Sequence, residues 1–319
     1  MTTPTAIAPV SQPPAAAPAI EVKNVSRWYG NIVAVNDISF SLAAGVTGLL
    51  GPNGAGKSTL LHMLSGFLAP SSGSVNVLGE SAWKNPGMYA RVGLVPERES
   101  VYPFLTGYEF VLLSAKLHRL PDPAAAAARA INEVDLESAQ HRATGSYSKG
   151  MKQRVKVAAA IVHRPPVLLL DEPFNGADPR QRLHMMAMLR EMAANGTTIV
   201  FSSHILEEVE RLAENVLVVV SGRLAASGDF RHIRRLMTDR PHTFTVRSTD
   251  DRRLAAALVA DPAIFGVELS DERLTVRTSD FAEFTLAIPR IARAADVTLH
   301  ELLPTDESLE SVFSYLVKR

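Results

Sequence analysis

The chain has 319 residues, and its 33 Lys+Arg balance its 33 Asp+Glu, so the formal net charge is zero. This balance excludes strong electrostatic steering toward nucleic acid or another polyanion. The absence of cysteine excludes disulfides, cysteine-based zinc sites and thiol nucleophiles. With 46% hydrophobic and 21% charged residues, the chain is expected to bury a real core, and its length favours two domains.

The first 20 residues differ from the rest in composition. They contain five prolines and no charged side chain, without the basic start and continuous apolar region of a signal peptide. We therefore expect residues 1–20 to be a disordered tail. No run of about 18 apolar residues follows in the sequence, so no membrane-spanning helix is predicted.

The next part of the chain alternates between strand and helix patterns. Runs at 21–25 and 34–42 predict antiparallel strands, and the apolar run 46–50 predicts a strand leading through a glycine-rich loop into a helix. A helical insertion is predicted over 104–119, 123–134 and 151–162. Beyond it, strands alternate with helices, which predicts a mostly parallel sheet; the strands are 167–170, 198–201 and 216–220, and the helices 180–194 and 205–213.

The pattern restarts after a basic run, Arg231 to Arg235, which we expect to be a solvated helix face, and a linker at 239–242. Strands at 243–247, 265–269, 274–277 and 297–303 enclose helices at 252–260 and 281–294. This β-α-β-β-α-β order predicts a small α+β, ferredoxin-like domain over 243–319.

A last amphipathic helix is predicted over 305–317. Its apolar face carries Leu309, Val312, Phe313, Leu316 and Val317 at helical spacing. We expect this face to pack on the domain's own sheet; docking on a partner or on a membrane surface is the alternative.

The loop after the third predicted strand fits G-x-x-x-x-G-K-[ST], and the strand and helix around it are the context that this motif requires. Its backbone N–H groups and the following helix N-terminus favour phosphate, Lys57 reaches the β- and γ-oxygens, and Ser58 is a ligand for Mg²⁺. The loop predicts a nucleoside triphosphate site. Its candidate binding residues are Gly51, Asn53, Gly54, Ala55, Gly56, Lys57, Ser58 and Thr59.

Two acids end the apolar strand 167–170. Asp171 at the tip of the strand is suited to hold Mg²⁺, and Glu172 to orient and deprotonate water. Taken alone, the pair is equally suited to capping or turn roles, but a phosphate loop elsewhere in the chain favours catalysis.

Further motifs resemble those of ATP-binding cassette (ABC) ATPases. The segment from Tyr147 to Arg154 is similar to the family's signature motif, in the spelling of the ABC-2 type exporter branch. Asp178 ends a segment that resembles the D-loop, and His204 resembles the switch histidine. Tyr29 stands at the adenine-stacking position, with packing in a hairpin as the alternative, and Glu97 at the Q-loop position. The resemblance covers 21–236, and the 243–319 region is similar to the accessory domain of many ABC-2 ATPases.

The resemblance implies a P-loop NTPase cassette over 21–238, with a RecA-like, mostly parallel sheet, an antiparallel β subdomain and a helical signature subdomain. It also implies a head-to-tail dimer in which Ser148, Lys149, Gly150 and Asp178 of one chain complete the ATP site of the other. His204 would contact the γ-phosphate and hold Glu172 and the attacking water in line.

Two motifs depart from the general ABC pattern. Lys149 and Met151 replace the glycine and glutamine of the commonest signature, and Glu97 replaces the usual Q-loop glutamine. Both changes resemble ABC-2 spelling. Glu97 is left with two roles, as a ligand of Mg²⁺ or its water, and as a contact for a transporter partner.

The resemblance implies an ATPase that uses ATP and Mg²⁺, works as a homodimer or paired cassette, and drives a separate integral membrane permease from the cytoplasmic face of the cell membrane. No nucleic acid partner is expected. The alternative is a soluble ABC ATPase acting on ribosomes or DNA, although the tandem cassettes and long coiled-coil insertions typical of such proteins are not visible in the sequence. A GTPase or small-molecule kinase would share only the phosphate loop.

Overall fold

The computed structural model describes residues 18–98, 100–236, 241–270, 273–305 and 308–317. Within these ranges the chain builds three β-sheets with helices packed on them. The predicted tail lies outside the described residues up to residue 17, and Ile20, its last residue, is fully buried as the first residue of a strand.

The first sheet is antiparallel and confirms the two predicted strands, β1 (Ile20–Tyr29) and β2 (Ile32–Leu42). The sequence analysis missed two further strands, β4 (Ser72–Val77) and β5 (Glu80–Ser81), which complete the order β2-β1-β4-β5. The serine- and glycine-rich start of β4 hides its period of two, because only Val75 and Val77 face the core.

The central sheet has six strands in the order β10-β9-β3-β8-β7-β6. All pairs are parallel except β9 with β10, so the predicted mostly parallel sheet is confirmed. The strands are β3 (Gly45–Leu50), β6 (Val92–Val95), β7 (Val167–Asp171), β8 (Thr198–Ser202), β9 (Asn215–Val220) and β10 (Arg223–Gly228). The four central strands are buried along most of their length because helices and the first sheet cover their two faces and exclude water.

Seven helices accompany these two sheets. They are α1 (Lys57–Leu64), α2 (Gly107–Leu117), α3 (Pro123–Glu133), α4 (Lys149–Ile161), α5 (Pro179–Ala194), α6 (Leu206–Leu212) and α7 (Phe230–Leu236). Helices α2, α3 and α4 form the predicted helical insertion. A capping box between Thr106 and Glu109 sets the start of α2.

The third sheet confirms the predicted β-α-β-β-α-β order. It comprises β11 (His242–Ser248), α8 (Asp251–Val259), β12 (Ile264–Ser270), β13 (Arg273–Thr278), α9 (Phe281–Ala294) and β14 (Leu299–Pro304). Its antiparallel strand order is β12-β13-β11-β14, and it has its own core under α8 and α9. His242, which we assigned to the linker, is the buried first residue of β11; residues 239 and 240 lie outside the described residues.

The expectation for the last helix is wrong. Helix α10 spans Leu309–Val317, and it packs on α6, α7 and β9 instead of on its own sheet. Leu309 is fully buried in the core of the central sheet, with Phe313 and Leu316 packed against that core. The side chains of Val312 and Val317 lie outside the described part of the chain. Helix α10 therefore packs on the part of the chain that carries the phosphate loop.

The basic run from Arg231 to Arg235 lies within α7. The expectation that it is a solvated helix face is only partly correct. Arg231 and His232 are exposed, but Arg234 is completely buried and donates from Nη2 to the Pro241 carbonyl at 2.8 Å. Helical periodicity turns one residue of such a run inward, and burial requires that its guanidinium be hydrogen-bonded.

Candidate functional site

The glycine-rich loop runs from the end of β3 into the start of α1. Lys57, the first residue of α1, is 8% exposed, and its Nζ donates to the carbonyls of Gly51 at 2.7 Å and Pro52 at 3.2 Å. The ammonium group is thus hydrogen-bonded to the start of its own loop. Because the first N–H groups of a helix have no intrahelical partner, this end of α1 presents unpaired donors and the positive end of the helix dipole.

Gly56 explains why the motif needs glycine at the end of the loop. Its φ is +102°, and an added Cβ would lie 2.3 Å from the carbonyl oxygen of Ala34. The loop therefore passes too close to β2 for any side chain at this position. Ala55 is buried, Ser58 and Thr59 are half-buried, and Asn53 and Gly54 are exposed.

Asp171 is the last residue of β7, and Glu172 follows it. Ser202, the last residue of the neighbouring strand β8, lies opposite Asp171. The Ser202 hydroxyl donates to Asp171 Oδ1 at 2.5 Å and accepts the Glu172 backbone N–H at 2.9 Å. Ser202 is completely buried and Asp171 is 3% exposed. One hydroxyl therefore holds both acids in place, a role that the sequence analysis missed.

Glu172 has a left-handed backbone conformation, with φ +51°. For a residue with a side chain this costs about 1–2 kcal/mol. Two hydrogen bonds hold it there: its N–H donates to Ser202, and its carbonyl accepts from Gln153 Nε2 at 3.2 Å. Gln153 lies on α4, so the helix of the signature motif supports the conformation of Glu172.

The side chains of Glu172 and His204 are in contact. Nδ1 of His204 lies 2.8 Å from Oε2 of Glu172, and the glutamate is 9% exposed. Burial raises the pKa of the Glu172 carboxyl, and the hydrogen bond from His204 opposes this rise. Sequence reasoning expected this pair, and the ends of the neighbouring strands β7 and β8 bring it together.

The residue before His204 is held by a buried carboxylate. Ser203 Oγ donates to Glu208 Oε2 at 2.6 Å, and Glu208 Oε1 lies 3.1 Å from Nε of Arg182 on α5. Glu208 is 4% exposed. Helix α5 itself begins at Asp178, whose carboxylate accepts from the Gln181 N–H at 2.8 Å. The loop of His204 is therefore tied to the helix that follows the D-loop-like segment, which the sequence motifs do not indicate.

The signature-like segment forms the start of α4. Ser148 caps the helix by accepting the Met151 N–H at 3.2 Å. A Cβ on Gly150 would lie 2.4 Å from the carbonyl oxygen of Gly176, and a Cβ on Gly176 would lie 2.9 Å from Cγ of Lys149. The signature-like and D-loop-like segments are therefore packed backbone to backbone.

The predicted site residues fall into separate groups within this chain. Among the described residues, no hydrogen bond or ion pair joins Ser148, Lys149 or Gly150 to Lys57. Tyr29, 46% exposed at the end of β1, has the Arg27 guanidinium 4.7 Å from its ring centroid. The Glu97 side chain is exposed, two residues beyond the end of β6.

The donors available for a cation suit magnesium. Ser58 offers a hydroxyl and Asp171 a buried carboxylate, both hard oxygen ligands. The described part of the chain holds no group of three or more His, Asp or Glu that could form an all-protein metal cage. Few protein ligands and a phosphate-bearing substrate are the usual setting for Mg²⁺, so these residues fit the ion.

Known proteins are similar to this chain in sequence. The family model of the ABC transporter matches residues 35–175. The bacitracin transport ATP-binding protein BcrA of Enterococcus faecalis is 32% identical over 93% of this chain and 96% of its own length. The linearmycin resistance ATP-binding protein LnrL of Bacillus subtilis (strain 168) is 31% identical over 94% and 98%. The Nod factor export ATP-binding protein I of Burkholderia orbicola (strain AU 1054) is 39% identical over 66% and 70%.

Solved structures agree with these relatives. A structure described as the ATP binding subunit of an ABC transporter is 31% identical, with a TM-score of 0.63 over 68% of this chain and 92% of that one. The ATP-binding cassette MJ0796, in a post-hydrolysis state bound to ADP and Pi, has a TM-score of 0.61 over 66% of this chain and 98% of that one; at 22% identity it shows the fold alone.

The fold and the loop geometry define a P-loop ATPase of the cassette type. The chain belongs to the ABC transporter family, as an ATP-hydrolysing subunit of the ABC-2 type exporter branch. Nothing in these comparisons favours the ribosome or DNA alternative. No helix among the described residues has both the length and the apolar character needed to cross a membrane.

Proposed function

We propose that this chain drives export through a separate integral membrane permease, working as a cassette dimer at the cytoplasmic face of the cell membrane. The observation that carries the proposal is the contact of His204 Nδ1 with Glu172 Oε2 at 2.8 Å, just beyond the ends of β8, which pairs with β3, and of β7, which pairs with β8. The three relatives are named for bacitracin transport, linearmycin resistance and Nod factor export.

In the proposed reaction, the Lys57 ammonium gives up its hydrogen bonds to the Gly51 and Pro52 carbonyls and donates instead to the β- and γ-phosphate oxygens of ATP. Neutral acceptors are thus replaced by negatively charged ones, which make stronger hydrogen bonds. Ser58 and Asp171 would hold Mg²⁺, which neutralises the developing phosphate charge when bound. Arg27 lies over one face of the Tyr29 ring, and Tyr29 is 46% exposed. The adenine would stack on the other face of the ring.

Glu172 is proposed to orient the attacking water and accept its proton. Its raised pKa brings the carboxylate closer to the operating pH, which favours general base catalysis. His204 keeps Oε2 of Glu172 in one orientation and would contact the γ-phosphate. The left-handed backbone at Glu172 supports this role, since strain of this kind is maintained by surrounding bonds and is concentrated at active sites.

Cassette pairing would complete the site. The Ser148 hydroxyl and the Gly150 N–H lie at the N-terminus of α4, which favours an anion. Because they do not reach Lys57 within one chain, a second copy in head-to-tail orientation would supply them, with Lys149 beside them and Asp178 at the adjoining loop. The backbone contact between Gly150 and Gly176 would let both segments enter the interface together.

An exposed aromatic patch supports a membrane partner. Tyr89, Tyr102 and Phe104 are 55%, 52% and 76% exposed, near a cleft of about 280 Å³ between β6 and α2. Tyr102 packs on Phe104 and Phe110, with ring centroids 5.9 and 6.1 Å apart. Exposed aromatic clusters of this kind mark protein interaction sites.

Affinity purification tests the proposal. Tagged Glu172→Gln protein, which should bind ATP without hydrolysing it, would be recovered with ATP from mildly solubilised membranes and its partners identified by mass spectrometry. We expect a polytopic membrane protein, and its loss in a Lys57→Ala/Glu172→Gln control that cannot hold the triphosphate. Recovery of ribosomal or DNA-repair proteins without a membrane protein would refute the exporter assignment.

A further inference from the structure

A buried lysine lies beneath the loop that carries Glu97. Lys156 is in the middle of α4 and is 5% exposed. Its Nζ donates to the carbonyl oxygens of Pro96 at 2.7 Å, Arg98 at 3.1 Å and Glu97 at 3.4 Å. One ammonium group therefore binds three successive carbonyls of the segment that follows β6.

The chemistry of the two groups explains the arrangement. An ammonium has three N–H donors and no acceptor, and burying it is costly unless oxygen atoms receive those donors. The segment after β6 leaves the ladder of the sheet at Pro96, and among the described residues the ladder with β7 ends at Val95. Hydrogen bonds from a charged donor are stronger than neutral ones, so Lys156 restrains this backbone more than an uncharged donor would.

The position of Lys156 joins two parts of the site. Helix α4 begins at the Ser148 cap of the signature-like segment, and two turns later the same helix holds the Glu97 loop. We propose that Lys156 is a positioning residue that fixes the Glu97 backbone to α4, so that the Glu97 loop and the signature segment move as one body during ATP turnover.

Limited trypsin digestion tests the anchor directly. Arg98 is exposed, and the carbonyl of the bond that trypsin would cut is one that Lys156 binds. In the full-length chain, Lys156→Met keeps the apolar stem and removes the ammonium. We expect cleavage after Arg98 to become about tenfold faster, as loss of one charge-assisted bond implies, while other cleavage sites keep their rates. Lys156→Arg should restore much of the protection.

An exposed lysine on the neighbouring helix provides the matched control. Lys116 lies near the end of α2, which packs on α4, and Lys116→Met makes the same substitution at an exposed position. It should leave cleavage after Arg98 unchanged. Unchanged cleavage in Lys156→Met, or faster cleavage at every site together, would overturn the proposed anchor.

Steady-state kinetics tests the positioning role. Lys156→Met should lower kcat for ATP several-fold and leave KM for ATP within about twofold, because the phosphate loop of Lys57 lies between β3 and α1, outside the helix that carries Lys156. Lys156→Arg should recover kcat. An unchanged kcat, or a loss that appears only as a higher KM, would overturn the positioning role even if the anchor is released. Because both readouts use the chain alone, they are independent of whether a permease is recovered.

Discussion

The hydroxyl of Ser202 is the part of the site whose removal has the most calculable effect. In Ser202→Ala the Glu172 N–H loses its acceptor in a fully buried place, which costs about 1–3 kcal/mol, and the Asp171 carboxylate loses a donor worth about 1.5–3 kcal/mol. We expect the free energy of unfolding to fall by about 3–4 kcal/mol. Turnover should fall at least about tenfold, because Glu172 is then free to leave its left-handed conformation.

Urea unfolding followed by tryptophan fluorescence measures this loss. The two tryptophans, Trp28 and Trp83, both lie in the part of the chain that precedes α2, so their fluorescence reports the nucleotide-binding part and not the third sheet. The matched control is Ser114→Ala, which removes a single neutral hydrogen bond to the Ala159 carbonyl and should cost about 1 kcal/mol.

The unfolding free energies of Ser202→Ala and Ser114→Ala, together with the turnover of Ser202→Ala, test the role of Ser202. If Ser202→Ala is destabilised no more than Ser114→Ala, the buried bonds of Ser202 do not contribute as calculated. If it is destabilised but retains full turnover, Ser202 does not hold Glu172 in its active conformation. Either result would refute the account of this site.

Three further predictions use the same fluorescence assay. Burial raises the pKa of Glu172 in the folded state, so folding stability falls as the pH rises through that pKa and the carboxyl ionises. Glu172→Gln, which has no charge to bury, should raise the urea midpoint at pH 7.5. This gain should shrink toward pH 4.5, and a gain of the same size at both pH values would contradict the prediction. Burial, and the imidazole of His118 stacked on the His163 ring with the ring centroids 3.7 Å apart, lower the pKa of His163 from 6.5 to about 4. The wild-type chain should therefore lose about 2 kcal/mol more than His163→Leu between pH 6.5 and 4, after allowance for screening, and equal losses would refute the assignment. Leu309→Ala should destabilise the nucleotide-binding part by about 2–4 kcal/mol, although Leu309 belongs to the last helix; an unchanged midpoint would contradict that packing.

Much of the fold and site follows from local signals. The phosphate loop between β3 and α1 was predictable because its glycines and lysine perform one task at fixed spacing. The apolar strand before Asp171 and Glu172 was predictable because a strand buried on both faces is apolar throughout. Strands β4 and β10 were missed because serine, glycine and alanine conceal a period of two in these short strands.

The support of the site was not predictable. Ser202, Gln153 and Glu208 are common residue types without a motif of their own, and each acts through a partner 5 to 31 positions away. Lys156 likewise has no local signal, because its carbonyl partners lie 58 to 60 positions earlier in the chain. Spacing along one element reports neighbours within that element only.

By itself, the sequence determined the family, the fold class and the order of most strands and helices, since motif spacing and hydrophobic period are local properties of the chain. Only the tertiary structure decided that Arg234 is buried, that Lys156 holds the Glu97 loop, and that the apolar face of α10 packs on the nucleotide-binding part. An amphipathic pattern requires that a face be covered but does not select the surface that covers it. That choice depends on which complementary apolar surface the folded chain brings within reach.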